Sequence, residues 1–232
     1  MSYIFLAIFL FIGVVESIRH RKLTTGGAVT GGLIGFCIFI AAGWFGIMML
    51  AAFFLLGTLA TSWKRKQKSI AGMAQDRGGQ RNFGQVVANG GVAGVLGAMA
   101  LFLPQQKDAL AFLIAGSFSA AIADTLSSEL GTVYGKHFYN IATWKSDRKG
   151  LDGVVSLEGF LLGVLGSTII AIIYTIGFGW SNRLIWIVVA GTAGNLVDSI
   201  LGATLERNGI IRNDAVNFVN TLTGALVALA LF

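Results

Sequence analysis

Long apolar runs, broken at intervals by compact polar segments, organise this chain from end to end. The runs predict eight membrane-spanning helices, near residues 2–18, 25–42, 44–62, 86–103, 108–130, 153–178, 184–206 and 213–231. Each approaches the ~20 apolar residues that carry a helix across a ~30 Å hydrocarbon core. The breaks after the second and sixth runs are only a few residues long, and a seven-span count stays open. The expected fold is all-α, a polytopic transmembrane helical bundle, with residues 1–232 forming a single integral membrane domain. The first run follows Met-Ser-Tyr, with no positive stretch before it and no small-residue cleavage site after it. It is therefore expected to be a retained helix rather than a signal peptide.

The polar segments are not equivalent. Arg19, Arg21 and Lys22 lie in the first, and Lys64, Arg65, Lys66, Lys68, Arg77 and Arg81 in the third. Lys136, Lys145, Arg148 and Lys149 lie in the fifth, and Arg207 and Arg212 in the seventh. These alternate segments hold 15 of the 17 Lys and Arg residues, leaving only Lys107 and Arg183 for the others. Short cytoplasmic loops retain cations during insertion, so the sorting predicts a basic cytoplasmic face with both termini outside. The protein is expected in the cell membrane.

Composition agrees. The chain is 55% hydrophobic and only 12% charged, about half the share of a soluble domain. A net charge of +6 placed in membrane-flanking loops points to anionic lipid rather than nucleic acid. Cys37 is the one cysteine, which excludes a disulfide or a thiol metal site. His20 and His137 have no ligand-pair spacing.

The two halves echo each other. GAVTGGLIG from Gly27 parallels GVVSLEGFLLG from Gly153, LLGTLAT from Leu55 parallels ILGATLE from Ile200, and Arg81-Asn82 with Asn89 parallels Arg212-Asn213 with Asn220. The common order suggests a parallel four-plus-four internal repeat, with half-repeats 1–105 and 106–232. The glycine series Gly27, Gly31, Gly35 reads most simply as a helix-packing seam.

Acids inside the spans carry the first chemical signal, because a carboxylate in mid-bilayer costs ~2.5–3.5 kcal/mol and needs a partner or a task. Asp124 shares a helical face with Ser127 and Ser128, and Asp198 with Asn195 and Gly202. Two hard-oxygen carboxylates flanked by Ser and Asn suit Mg²⁺; the alternative is a pair of helix-packing partners. Glu129 lies about 140° round the helix from Asp124 and could join such a site only from a helix end. Glu206 is expected to pair with Arg207 or Arg212. Polar stripes, Asn82, Gln85, Asn89 and Asn213, Asn217, Asn220, descend from the basic face into the fourth and eighth spans. They suit either a phosphate-lined cavity or interhelical hydrogen bonding. The stretch from Ala74 to Gly91 places Arg77, Arg81 and two glycine pairs before a helix start, a composition that favours an anion; it also fits a loop that only sets topology.

The blocks DRGGQRNFGQVVANGG, ADTLSSELG, GVVSLEG and VDSILGATLE through to Asn220 resemble those of the transmembrane protein 19 family, which includes plant phytyl-phosphate kinase. The resemblance spans essentially the whole chain. It implies an enzyme that phosphorylates an isoprenyl monophosphate with a nucleoside triphosphate, CTP or ATP, as donor. It also implies a site drawn from Arg77, Arg81, Asn82, Asn89, Asp124, Ser127, Ser128, Glu129, Ser156, Glu158, Asn195, Asp198, Asn217 and Asn220. In the resulting expectation Asp124 and Asp198, with Glu129 as a further candidate ligand, hold Mg²⁺. Arg77 and Arg81, joined by Lys145, Lys149 or Arg212, neutralise phosphate at the cytoplasmic face, and the isoprenoid chain lies among the spans. Two other classes remain: a transporter or flippase for a phosphorylated lipid or small anion, which needs a polar path to both faces, and a lipid-organising scaffold, which needs no paired acids.

Overall fold

The computed structural model describes residues 2–70 and 79–232 and is all-α apart from one short ribbon. Helix α1 spans Ser2–Arg19, α2 Thr25–Ser62, α3 Arg65–Ile70, α4 Phe83–Met99 and α5 Lys107–Tyr134. Helices α6, α7 and α8 follow at Leu157–Phe178, Arg183–Leu201 and Asn213–Ala230. Among the described residues, five helical stretches, Ser2–Arg19, Thr25–Ser62, Pro104–Tyr134, Leu157–Phe178 and Arg183–Glu206, are long and apolar enough to cross a membrane.

Helix α2 is 38 residues long but is not one rod. Gly43 has φ 56° and ψ −146°, a backbone conformation that a side chain resists. A Cβ built on Gly35 would lie 3.2 Å from Leu50, although fifteen helical residues would place the two ~22 Å apart. The chain therefore folds back at Gly43, where the sequence predicts the break between its second and third apolar runs.

Helix α5 is the axis of the bundle. It is apolar and small-residued all round, and such a helix is stable only when enclosed. Its residues Leu110 to Ala123 are all buried, and it packs against α2, α4, α6, α7 and α8. Small residues allow this crowding: a Cβ on Gly116 would come within 2.6 Å of the Gly224 carbonyl of α8. Helix α1, its counterpart in the proposed half-repeat, packs chiefly against α2 and leaves its other faces exposed.

Helix caps fix the polar end. Thr24 accepts from the Gly27 N–H at 3.2 Å, and Ser156 from the Gly159 N–H at 3.1 Å. Asn82 and Gln85 form a reciprocal capping box at the start of α4. The Arg81 N–H donates to the Lys22 carbonyl at 2.9 Å, and the Thr24 N–H donates to the Arg81 carbonyl at 3.0 Å. These bonds tie the first polar segment to the third. In the fifth, Tyr139–Asn140 (β1) pairs antiparallel with Val154–Val155 (β2), a ribbon that the sequence does not predict.

Candidate functional site

The caps and the ribbon surround a polar cavity of about 300 Å³. Helix α4 contributes Gln85 and Asn89, with Arg81 just before it, and α5 contributes Asp124, Thr125, Ser127, Ser128, Glu129 and Thr132. Residues 150–156 form one wall, and Asn195, Asp198, Ser199, Gly202, Glu206, Asn213 and Asn217 form another. The second, fourth and sixth polar breaks supply no lining residue.

Asp124 and Asp198 are 74 positions apart, yet both line this cavity and their carboxyl groups are close enough to act on each other electrostatically. The Asp198 Oδ2 is buried without a hydrogen-bond partner among the described residues. Two adjacent buried carboxyls repel unless a proton or a cation lies between them. Glu129, Asp152 and Glu206 add three more acids to the lining. The donor set therefore consists of hard oxygens with a surplus of negative charge, which suits Mg²⁺. Among the described residues, no group of three or more His, Cys, Asp or Glu gathers into a complete metal cage, so remaining positions would fall to water or phosphate oxygens.

Glu129 lines the cavity, but its Oε2 is engaged by the Lys68 Nζ at 2.5 Å. Lys68 also donates to the carbonyls of Ala60 and Thr61, at 3.1 and 3.0 Å. Both side chains are almost wholly buried, and the three protons of the Lys68 ammonium each meet an acceptor, as burial of a charge requires. Lys68 carries no signal in the sequence that separates it from its cationic neighbours.

Arg81 faces the acids from α4. Its guanidinium lies 5.3 Å over the Phe53 ring, and its Nη1 is buried with no hydrogen-bond partner among the described residues. Burial pulls its pKa below the ordinary value and the Glu129 charge works the other way, but an arginine stays cationic at physiological pH. Gly57 makes room for it: a Cβ there would stand 2.7 Å from the Arg81 Nη2.

The other expected site residues divide. Asn89, Ser127, Ser128, Ser156, Asn195 and Asn217 line the cavity. Asn82 does not; its side chain is spent on the capping box. Asn220 is fully buried and donates to the Ala120 carbonyl at 3.4 Å, gluing α8 to α5 rather than facing the cavity. Glu158 turns outward to accept from the Lys136 N–H at 3.3 Å. Lys145, Lys149 and Arg212 are exposed and outside the lining. Arg77 lies outside the described residues. Glu206 corrects the expectation of a pairing with Arg207. Arg207 instead binds Asp147 at 2.6 Å, and Glu206 turns inward beside Asn213. The cause is local: residues 202–206 form a π turn, with the Arg207 N–H donating to the Gly202 carbonyl at 3.1 Å. Such turns re-aim side chains at functional sites. Pairing with Arg207 holds the exposed Asp147 carboxyl below the usual carboxylate range.

The sequence is similar to several membrane proteins. It is 31% identical over 225 residues to uncharacterized membrane protein sll0875 of Synechocystis, covering 95% of this chain and 87% of the relative. It is 31% identical to uncharacterized membrane protein MJ0933 of Methanocaldococcus jannaschii, covering 92% and 87%. Protein VTE6, chloroplastic, of Arabidopsis thaliana is 32% identical over 216 residues, 89% of this chain and 64% of that protein. No solved structure matches the chain. Residues 7–225 match the integral membrane protein DUF92 family, and the chain belongs to that family, as its resemblance to the transmembrane protein 19 and phytyl-phosphate kinase group implied.

Proposed function

We propose that this protein is a membrane lipid-phosphate kinase that extends an isoprenyl monophosphate to a diphosphate. The observation that carries the reading is that one cavity is lined by both Asp124 and Asp198 and by Arg81, whose buried Nη1 has no hydrogen-bond partner among the described residues. Acids alone would repel a phosphate and an arginine alone would not hold a metal; together they suit a metal-bound polyphosphate. The similarity to VTE6 and the phytyl-phosphate kinase resemblance support the same reaction class.

In this reading a non-bridging oxygen of the lipid monophosphate attacks the γ-phosphorus of CTP or ATP. A new P–O–P bond forms, the γ–β bridging bond breaks, and the nucleoside diphosphate leaves with the electron pair. The nucleophile is already an anion, so no strong general base is needed and positioning supplies much of the rate. Arg81 forks onto phosphate oxygens and fixes their orientation. Ser127 and Asn195 supply neutral hydrogen bonds that tolerate the changing charge, while the Ser128 hydroxyl and the Asn217 amide are held by the Asp124 carbonyl and by Asn213. Asp124 and Asp198 would hold Mg²⁺, which when bound neutralises charge on the transferring group. The exposed cations of the polar segments attract the nucleotide from the cytoplasm.

A transporter would need a polar route onward. Beyond the cavity lie Phe53 stacked on Phe118 at 5.9 Å and Phe112 against Tyr174 at 5.6 Å. This aromatic packing favours the enzyme.

The test is phosphotransfer by purified protein in lipid vesicles, offering isoprenols and isoprenyl monophosphates against each nucleoside triphosphate. Diphosphate formed from a monophosphate and dependent on Mg²⁺ is expected. Asp198→Asn should lower the rate by about a hundredfold, as removal of a metal-holding charge does, and raise the Mg²⁺ concentration needed. Unchanged Mg²⁺ dependence in Asp198→Asn would remove the acid pair from the metal assignment.

A further inference from the structure

We propose that the apolar groove between α1, both halves of α2, and α4 holds the single hydrocarbon chain of the lipid monophosphate and delivers its head to Arg81. The identity of the head rests on the function proposed above; the place of the tail rests on the groove itself.

The groove measures about 460 Å³, within the range of small-molecule sites, and its wall is almost wholly apolar. Leu10 and Val14 of α1 and Leu50 and Phe54 of α2 line it. Its polar lining comes from Glu16, His20 and Lys22 at and just after the end of α1 and from Arg81, Gln85 and Asn89, and these last three line both the groove and the polar cavity. The two spaces therefore meet at the residue whose buried Nη1 has no partner among the described residues. An amphiphile with one anionic head and one apolar tail matches this sequence of surfaces, whereas a nucleotide or a small anion leaves the apolar part empty.

Three features indicate entry from the bilayer. The helix closing the groove, α1, is the most loosely held of the long helices, packing chiefly on α2. Phe9 and Leu55 line the groove and are 48% and 58% exposed, so its rim faces the lipid. Glycine keeps the groove open: a Cβ on Gly13 meets nothing within 4 Å, and one on Gly31 meets only ordinary contacts at 4.0 Å. Gly31 thus departs from the expected packing seam, which Gly27 and Gly35 keep with contacts at 3.2 and 2.9 Å.

The experiment uses the full chain in lipid nanodiscs and a twenty-carbon isoprenyl monophosphate with a photoreactive diazirine at the tail end. Irradiation followed by peptide mapping should place label on the groove residues of α1 and α2, and excess unlabelled monophosphate should suppress it. Gly13→Phe and Gly31→Phe fill the groove and should each cut labelling by about tenfold, the equivalent of a few lost buried methylenes. Leu165→Phe, on the exposed face of α6, should label as the unaltered protein does. Label spread over all lipid-facing helices and indifferent to competitor overturns the proposal, without recourse to any variant. So does full competed labelling in a monodisperse Gly13→Phe protein. Competed groove labelling without phosphotransfer to any acceptor leaves the tail site standing and removes the kinase; phosphotransfer with uncompeted, scattered label does the reverse.

Discussion

At the residue scale, the site depends on what one side chain leaves room for. Gly57 has no catalytic atom, but a methyl there would push on the Arg81 Nη2 and stand 3.4 Å from Thr125. Gly57→Ala is expected to lower phosphotransfer by about ten- to a hundredfold, the usual cost of misplacing a positioning group, in a protein that still folds. Arg81→Lys should lose as much, because a point charge cannot fork. Lys64, which only rests 5.1 Å over the Tyr134 ring, should tolerate Lys64→Gln. Equal rates for Arg81→Lys and Lys64→Gln would make Arg81 a topological charge. Lys68 behaves differently from both. Lys68→Met takes the cation from the buried Glu129, and loss of one partner of such a pair costs about 3–5 kcal/mol. Thermal unfolding in detergent should show a clear fall in Tm, partly recovered in Lys68→Met with Glu129→Gln. A Tm equal to that of the unaltered chain would mean that Glu129 has found another solution.

At the element scale, α2 is the informative case. Its apolar pattern runs through Gly43 with no polar residue to mark a loop, and the reversal depends on one backbone conformation. Gly43→Ala forces a Cβ into a positive φ and should cost about 1–2 kcal/mol. The midpoint of thermal unfolding checks this, and an unchanged midpoint would show that the turn relaxes without penalty. Helices α4, α6 and the first half of α2 each begin at a cap beside the cavity, at Asn82, Ser156 and Thr24. Their N-terminal N–H groups point towards the polar end, the arrangement that favours anions.

At the scale of the whole molecule, the cavity lies at the end where α1, α5 and α7 finish and α4, α6 and α8 begin, the end that bears the sorted cations. The opposite end is held by Arg183, which binds Asp108 at 2.8 Å and Tyr174 at 3.1 Å and covers the rings of Phe112 and Phe232. The positive-inside rule predicts that the cavity faces the cytoplasm. With Cys37 replaced by Ser, a cysteine at Ser146 should resist an impermeant thiol reagent applied from outside, and one at Ser181 should react. Labelling of the Ser146 position in intact cells would invert the orientation.

The sequence by itself determined the class of fold, because the lengths of the apolar runs and the sorting of charge are one-dimensional properties that the bilayer reads directly. It also pointed to Asp124 and Asp198, since a carboxylate within a span is conspicuous at any register. It could not say which polar residues face the cavity. Asn82 and Asn89 share a stripe, but a cap consumes one and leaves the other in the lining. Asn217 and Asn220 share another, and a rotation of three residues on α8 turns one to the cavity and the other into α5. Lys68 was indistinct among its cationic neighbours because its burial depends on α5 supplying Glu129 from 61 positions away. Local charge predicts that Glu206 pairs with Arg207 or Arg212, whereas the π turn and the ribbon carrying Asp147 redirect Glu206 and Arg207. The apolar groove has no signature in the chain at all: every span is apolar, and only the packing of α1 against the folded α2 leaves a space that ends on an arginine.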